Sequence, residues 1–168
     1  MDMVMFKNKE AFLEWIEEKG GCLQEIDGWA REQKNLQTIL KTIDVEWRVW
    51  CLCKGAHQFA EDAYWEDFCG NHWMVLCRER PEYAIHADWS KLSGTQWRYL
   101  LVVRQEFIEY CDRSTLSSND WYELLSRVPA LHKYADWANI KPWVFEWLKN
   151  IPAFKNAERL VTVKGVDI

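Results

Sequence analysis

Six residues with metal-ligand chemistry crowd one stretch of the chain: Cys51, Cys53, His57, Cys69, His72 and Cys77. Thiolate sulfur and imidazole nitrogen are the ligands of tetrahedral zinc, which needs four on one centre. Glu66 and Asp67 lie in the same stretch and, with His72, would make an acid–base set suited to proton transfer. The chain carries no phosphate-binding glycine loop, no His-Glu-x-x-His and no Gly-x-Ser-x-Gly. Whether the clusters mean chemistry depends on the elements that carry them.

Those elements repeat. The chain has 168 residues and 12 Trp, and its apolar positions recur every 24 residues. Trp73, Trp97 and Trp121 keep that interval. So do Phe59, Tyr83, Phe107 and Leu131, and so do Leu52, Leu76, Leu100, Leu124 and Leu148. Trp65, Trp89 and Trp137 form another row, with Arg113 in the place of a tryptophan. The register is an internal control on the ligand cluster. Cys53 and Cys77 occupy the slot of Leu101 and Leu125, and Cys111 that of Ala87 and Ala135. Cys69 stands where Ser93 and Ser117 stand, and His72 where Gln96 and Asp120 stand. These are substitutions into core and cap slots. Glu66 and Asp67 fall in a link. The expectation is no metal, no cofactor and no catalytic residue.

Each copy reads as a helical hairpin. Ser93-x-x-Gln96 is a capping box, and Ser117-x-x-Asp120 a weaker one. Trp97, Leu100, Leu101 and Arg104 then follow the helical period. Pro81, Pro129 and Pro152 open a second short helix in the copies that have them. A hairpin of this size cannot bury its apolar face alone, so neighbours must stack. The expected fold is all-α: a short α-solenoid of about five 24-residue helical-hairpin repeats behind an N-terminal two-helix cap. The cap covers residues 1–42, with Asn8 and Asp27 opening its helices and Gly20-Gly21 stopping the first. The repeats cover 43–154 and a tail 155–168, the whole making one compact domain. The tail holds the one β-branched stretch, Leu160-Val161-Thr162-Val163, and the last copy would expose an apolar layer for self-association unless the tail covers it.

The unit Asp88-Trp89-Ser90-Lys91-Leu92-Ser93-Gly94-Thr95-Gln96-Trp97-Arg98-Tyr99-Leu100-Leu101 resembles the tryptophan-rich tandem repeats of bacterial and prophage proteins. Arg80-Pro81-Glu82-Tyr83-Ala84 is similar to their Pro-x-Phe-Ala portion, and Cys111-Asp112-Arg113 to their Cys-Asp-Trp restart. The resemblance spans roughly residues 43–154. It implies a repeat architecture and carries no catalytic residues.

Function is then read from the slots that change character between copies. One runs Trp50, Met74, Arg98, Tyr122, Glu146, and the next Cys51, Val75, Tyr99, Glu123, Trp147. Trp, Tyr, Arg and Met are the residues that protein interfaces concentrate. Trp50, Met74, Arg98, Tyr99, Tyr122 and Trp147 are the expected partner-binding residues, and the function is that of a non-enzymatic protein-binding module. The prophage resemblance and a net charge of −5 suggest a sharper form, an inhibitor of anti-CRISPR type that covers a host defence complex. The partner is then a host or phage protein or nucleoprotein complex. Net negative charge disfavours direct nucleic-acid contact, although Arg78, Arg80, Lys91, Arg98, Arg104, Arg113 and Arg127 interleave with aromatics and keep a single-strand or RNA-binding repeat as the alternative. A zinc-dependent enzyme is the least favoured reading. No apolar run is long enough for a membrane span and Met1–Glu10 lacks a signal-like core, so a cytoplasmic protein is expected.

Overall fold

The computed structural model describes residues 4–20 and 23–154, the side chains of 23–25 excepted. Every regular element among the described residues is helical. The chain divides into two compact units, Met1–Ala87 and Asp88–Ile168. The division falls in a link between two copies rather than at the 42/43 boundary read from the repeat register. The β-branched tail stretch and any cover it gives the last copy lie outside the described residues.

In the first unit, α1 (Lys9–Lys19) starts at Asn8, whose side chain accepts from the Ala11 N–H, and stops at Gly20 in the left-handed region with φ 63°. The expected second cap helix is two helices, α2 (Leu23–Glu32) and α3 (Leu36–Thr42). Asp27 does not cap. It sits inside α2 and pairs with Arg31 one turn on, 2.7 Å away. Asn35 is the cap, accepting from the Thr38 N–H at 2.9 Å. Residues 1–42 therefore hold three helices among those described, because Asn35 opens a separate one.

The first copy follows as α4 (Val45–Cys53) and α5 (Gln58–Glu61), and the second as α6 (Gly70–Glu79). Phe12 and Phe59 are fully buried, and Phe6 stands edge-on to Phe12 and Trp15, both 5.2 Å away. Arg48 is 3% exposed in this core. Its guanidinium donates to the Leu40 carbonyl at 2.7 Å and the Phe59 carbonyl at 2.8 Å. Those carbonyls end helices, where no intrahelical donor is left, so one buried cation ties α3, α4 and α5 together.

The second unit contains α7 (Gly94–Val103), α8 (Ser118–Arg127) and α9 (Pro142–Leu148), with α8 packed against both others. Ser93 with Gln96 and Ser117 with Asp120 form full capping boxes. The core rows are closed: Trp97, Leu100 and Leu124 are 0% exposed and Trp121 2%.

The second element of three copies is tighter than an α-helix. It is a six-residue 3-10 helix at Pro81–His86, Gln105–Tyr110 and Pro129–Tyr134. Tyr83, Phe107 and Leu131 donate their N–H groups three residues back, to Arg80, Arg104 and Val128. Those three acceptors share one backbone state, with φ −137°, −124° and −130° and ψ 77°, 75° and 73°. Proline forces the residue before it out of the helical region, and Arg104 adopts the same state ahead of Gln105. A three-residue 3-10 turn closes the link at Trp65–Asp67, Trp89–Lys91 and Arg113–Thr115. Asp88 and Asp112 each accept from the N–H and hydroxyl of the serine two residues on, which holds both carboxyls below the usual range.

Candidate functional site

The thiols and imidazoles of residues 51–77 are used up by packing and capping. Cys51 and Cys77 are 0% exposed. Cys69 and His72 reproduce the capping box of α7: the Cys69 side chain faces the third backbone N–H, and the His72 ring accepts from the Cys69 N–H at 3.2 Å. His57 lies between Arg80 and Tyr83. Burial pushes the Cys53 thiol up to about 11 and the Cys77 thiol up to about 12, and raises Cys51 as well. A metal ligand must be thiolate, so burial works against coordination. Among the described residues, no three His, Cys, Asp or Glu side chains converge as a cation site.

The six expected partner-binding residues divide between the units. Trp50 and Met74 belong to the first, and both are half-buried. Trp50 packs edge-on against Trp15 at 5.5 Å and Trp47 at 6.0 Å, so much of it serves the local core. Arg98, Tyr99, Tyr122 and Trp147 belong to the second unit, on α7, α8 and α9.

There the variable slots build an exposed aromatic face. Trp147 is 59% exposed and Tyr99 50%. Tyr122 meets Trp147 edge-on at 5.6 Å and Trp143 at 5.8 Å, while Trp143 and Trp147 stand 6.1 Å apart. Ring pairs of this kind contribute about 0.5–1.5 kcal/mol each beyond the area they bury. They fix the rings while leaving their outer surfaces to solvent. Arg98 is not free on this face. Its guanidinium lies 3.4 Å from Glu123 and 3.8 Å from Asp120 on α8, and 4.6 Å from the Tyr99 ring centroid. It braces α7 against α8 and holds Tyr99 in place.

Trp143 is the member that the slot comparison missed. Its counterparts Asn71, Thr95 and Asn119 are polar, but Trp47 holds the same slot in the first copy, so the row is aromatic at both ends. The cations named for nucleic acid are mostly engaged as well. Arg78 pairs with Glu79, Arg80 with Glu82, Lys91 with Asp88, Arg104 with Glu106 and Arg127 with Glu123. No helix among the described residues is long and apolar enough to cross a membrane.

Comparison with protein-family models, curated proteins and solved structures finds no match for the chain.

Proposed function

We propose that the protein is a non-enzymatic binding module that engages a partner protein through the aromatic face of α7, α8 and α9. The observation that carries this reading is the three-ring cluster Tyr122, Trp143 and Trp147, with Trp147 59% and Trp143 37% exposed, and Tyr99 on α7 50% exposed. Large rings kept half in water, and held rigid by one another, are the anchors that protein interfaces use. The finer architecture is part of the same proposal: about five stacked 24-residue copies, an α-solenoid built like the tryptophan-rich tandem-repeat proteins. The packing of α4 on α6, and of α8 on α7 and α9, supports it. The sharper form, a phage-type inhibitor of a host nucleic-acid-binding complex, rests on the net charge of −5 and on that resemblance.

Ion-paired arginines weaken the RNA-binding alternative, since each paired carboxylate would have to be displaced by phosphate. The test is a tagged pull-down from bacterial lysate with nuclease present, run beside the variant Tyr99→Ala/Trp143→Ala/Trp147→Ala. A defined complex should survive nuclease with the parent chain and be lost with the variant, whose helical circular dichroism should stay unchanged. Retention of that complex by a folded variant would remove this face as the interface. Loss of all partners on nuclease treatment would favour nucleic acid.

A further inference from the structure

One link breaks the tryptophan row, and the break leaves a groove. In the second copy, Trp65 stacks on His86 at 4.5 Å with the rings 6° apart, and on Trp73 at 5.6 Å. In the third, Trp89 stacks on Tyr110 at 5.3 Å and 20°, and on Trp97 at 5.3 Å and 28°. The corresponding residues one copy on are Tyr134 and Trp121, and the residue that should lie over them is Arg113. Arg113 is exposed. A groove of about 840 Å³ opens there, lined by Arg113, Trp121, Lys133 and Tyr134 among others. That is ample for an indole with the residues on either side of it.

We propose that this groove is a docking slot for a tryptophan side chain of a partner polypeptide, flanked there by acidic residues. The two preceding copies show the occupant: each fills the same place with an indole laid on the same pair of rings. In the slot itself Tyr134, half-buried, supplies the stacking wall and Trp121, 2% exposed, the floor. The Tyr134 hydroxyl donates to Glu109 at 2.9 Å, which holds its ring in place without a stacked neighbour.

Charge selects the flanking residues. Both carboxylates in the lining are engaged at home: Asp112 accepts from the N–H and hydroxyl of Ser114, and Asp136 from the Asn139 amide at 2.7 Å. Arg113 and Lys133 have no carboxylate partner among the described residues, in contrast to the other arginines named above. The Lys133 ammonium lies over the Tyr134 ring, 4.9 Å from its centroid. Two cations without a carboxylate partner, one of them over the aromatic wall, favour an anionic segment carrying the ring. The slot's lining includes none of Tyr99, Tyr122, Trp143 and Trp147, so it is tested separately from that face.

The test uses the full chain, labelled with nitrogen-15, titrated with Ac-Glu-Trp-Glu-NH2 while the Trp121 indole N–H and the backbone around Tyr134 are followed by NMR. Saturable shifts at those signals are expected. Replacing the peptide's Trp with Leu, or its Glu residues with Lys, should weaken binding at least tenfold. Arg113→Trp restores the missing indole within the chain, so it should raise Tm and abolish peptide binding. Tyr134→Ala removes the wall and should also abolish binding, whatever becomes of the first variant. Absence of saturable shifts at millimolar peptide, unchanged binding in both variants, or a fall in Tm on Arg113→Trp would overturn the proposal. So would tighter binding of a short single-stranded oligonucleotide at the same signals, which would assign the groove to nucleic acid.

Discussion

His57 is held by partners at both ring nitrogens, and its protonation bears on stability. The Arg80 guanidinium donates to Nε2, which leaves Nδ1 to carry the ring proton and donate to the Tyr83 hydroxyl oxygen. This uses both nitrogens of a neutral imidazole in one tautomer and leaves no place for a second proton. Burial, and then the charge of Arg80, lower the His57 pKa from 6.5. The sign follows from linkage. Above pH 6.5 the ring is neutral whether the chain is folded or not, and it contributes no pH dependence. As pH falls below 6.5 the unfolded chain takes the proton first, so stability drops until the folded pKa is reached. Urea unfolding midpoints measured between pH 7.5 and 5 should therefore fall more steeply for the parent chain than for His57→Gln. Parallel pH profiles would mean that the folded and unfolded chains bind the His57 proton alike.

Helices approach one another closely where a copy begins, and glycine decides how closely. A Cβ on Gly94, the first residue of α7, would lie 2.1 Å from the Thr115 carbonyl oxygen in the next link. One copy on, Ser118 holds the same position, and its hydroxyl accepts from the Lys141 N–H at 3.0 Å. Gly94→Ala must push the link off α7 and should cost about 1–3 kcal/mol, read as a drop in Tm. Gly28→Ala is the control. It lies within α2 with nothing within 4 Å of the added carbon, and should stabilise by about 0.5–1 kcal/mol. A neutral Gly94→Ala would mean that the copies tolerate looser stacking than their geometry shows. These elements were legible in the sequence to different depths. The caps at Asn8, Ser93 and Ser117, the stop at Gly20 and the buried rows could be read, because capping chemistry and core burial act residue by residue. The 3-10 form of the second element could not, since periods of 3.0 and 3.6 hardly diverge over six residues. Nor could Arg48, whose partners are carbonyls and leave no trace in side-chain patterning. At the face, the slot comparison named Tyr99, Tyr122 and Trp147 but not Trp143, whose row is polar in the three middle copies and aromatic at Trp47 in the first. Arg113 was visible as an exception, but the groove it opens depends on ring stacking that only three dimensions show.

At the scale of the whole molecule, the cysteines among the described residues work as small buried hydrophobes and, at one helix start, as a cap, and this makes their thiols reporters of opening. Cys51, Cys77 and Cys111 are 0%, 0% and 8% exposed, Cys53 is half-buried and Cys69 exposed. Burial raises Cys77 and Cys111 from 9.0 to about 12, so at pH 8 their reactive thiolate is far scarcer, before access is counted. Among the five described thiols, native-state alkylation mapped by peptide mass spectrometry should therefore label Cys69 first and Cys53 more slowly. Cys51, Cys77 and Cys111 should react only as the structure around them opens. Cys51 on α4 and Cys77 on α6 share the first unit, where those helices pack together, so their labelling rates should rise with urea along one common curve. Cys111 belongs to the second unit and should follow a curve set by that unit's own stability. Stoichiometric zinc on the purified chain, protecting Cys53 and Cys69 together from alkylation, would reverse the assignment of these thiols to core and cap. Divergent curves for Cys51 and Cys77 would show that α4 and α6 open separately, against the stacking on which the proposed repeat architecture depends.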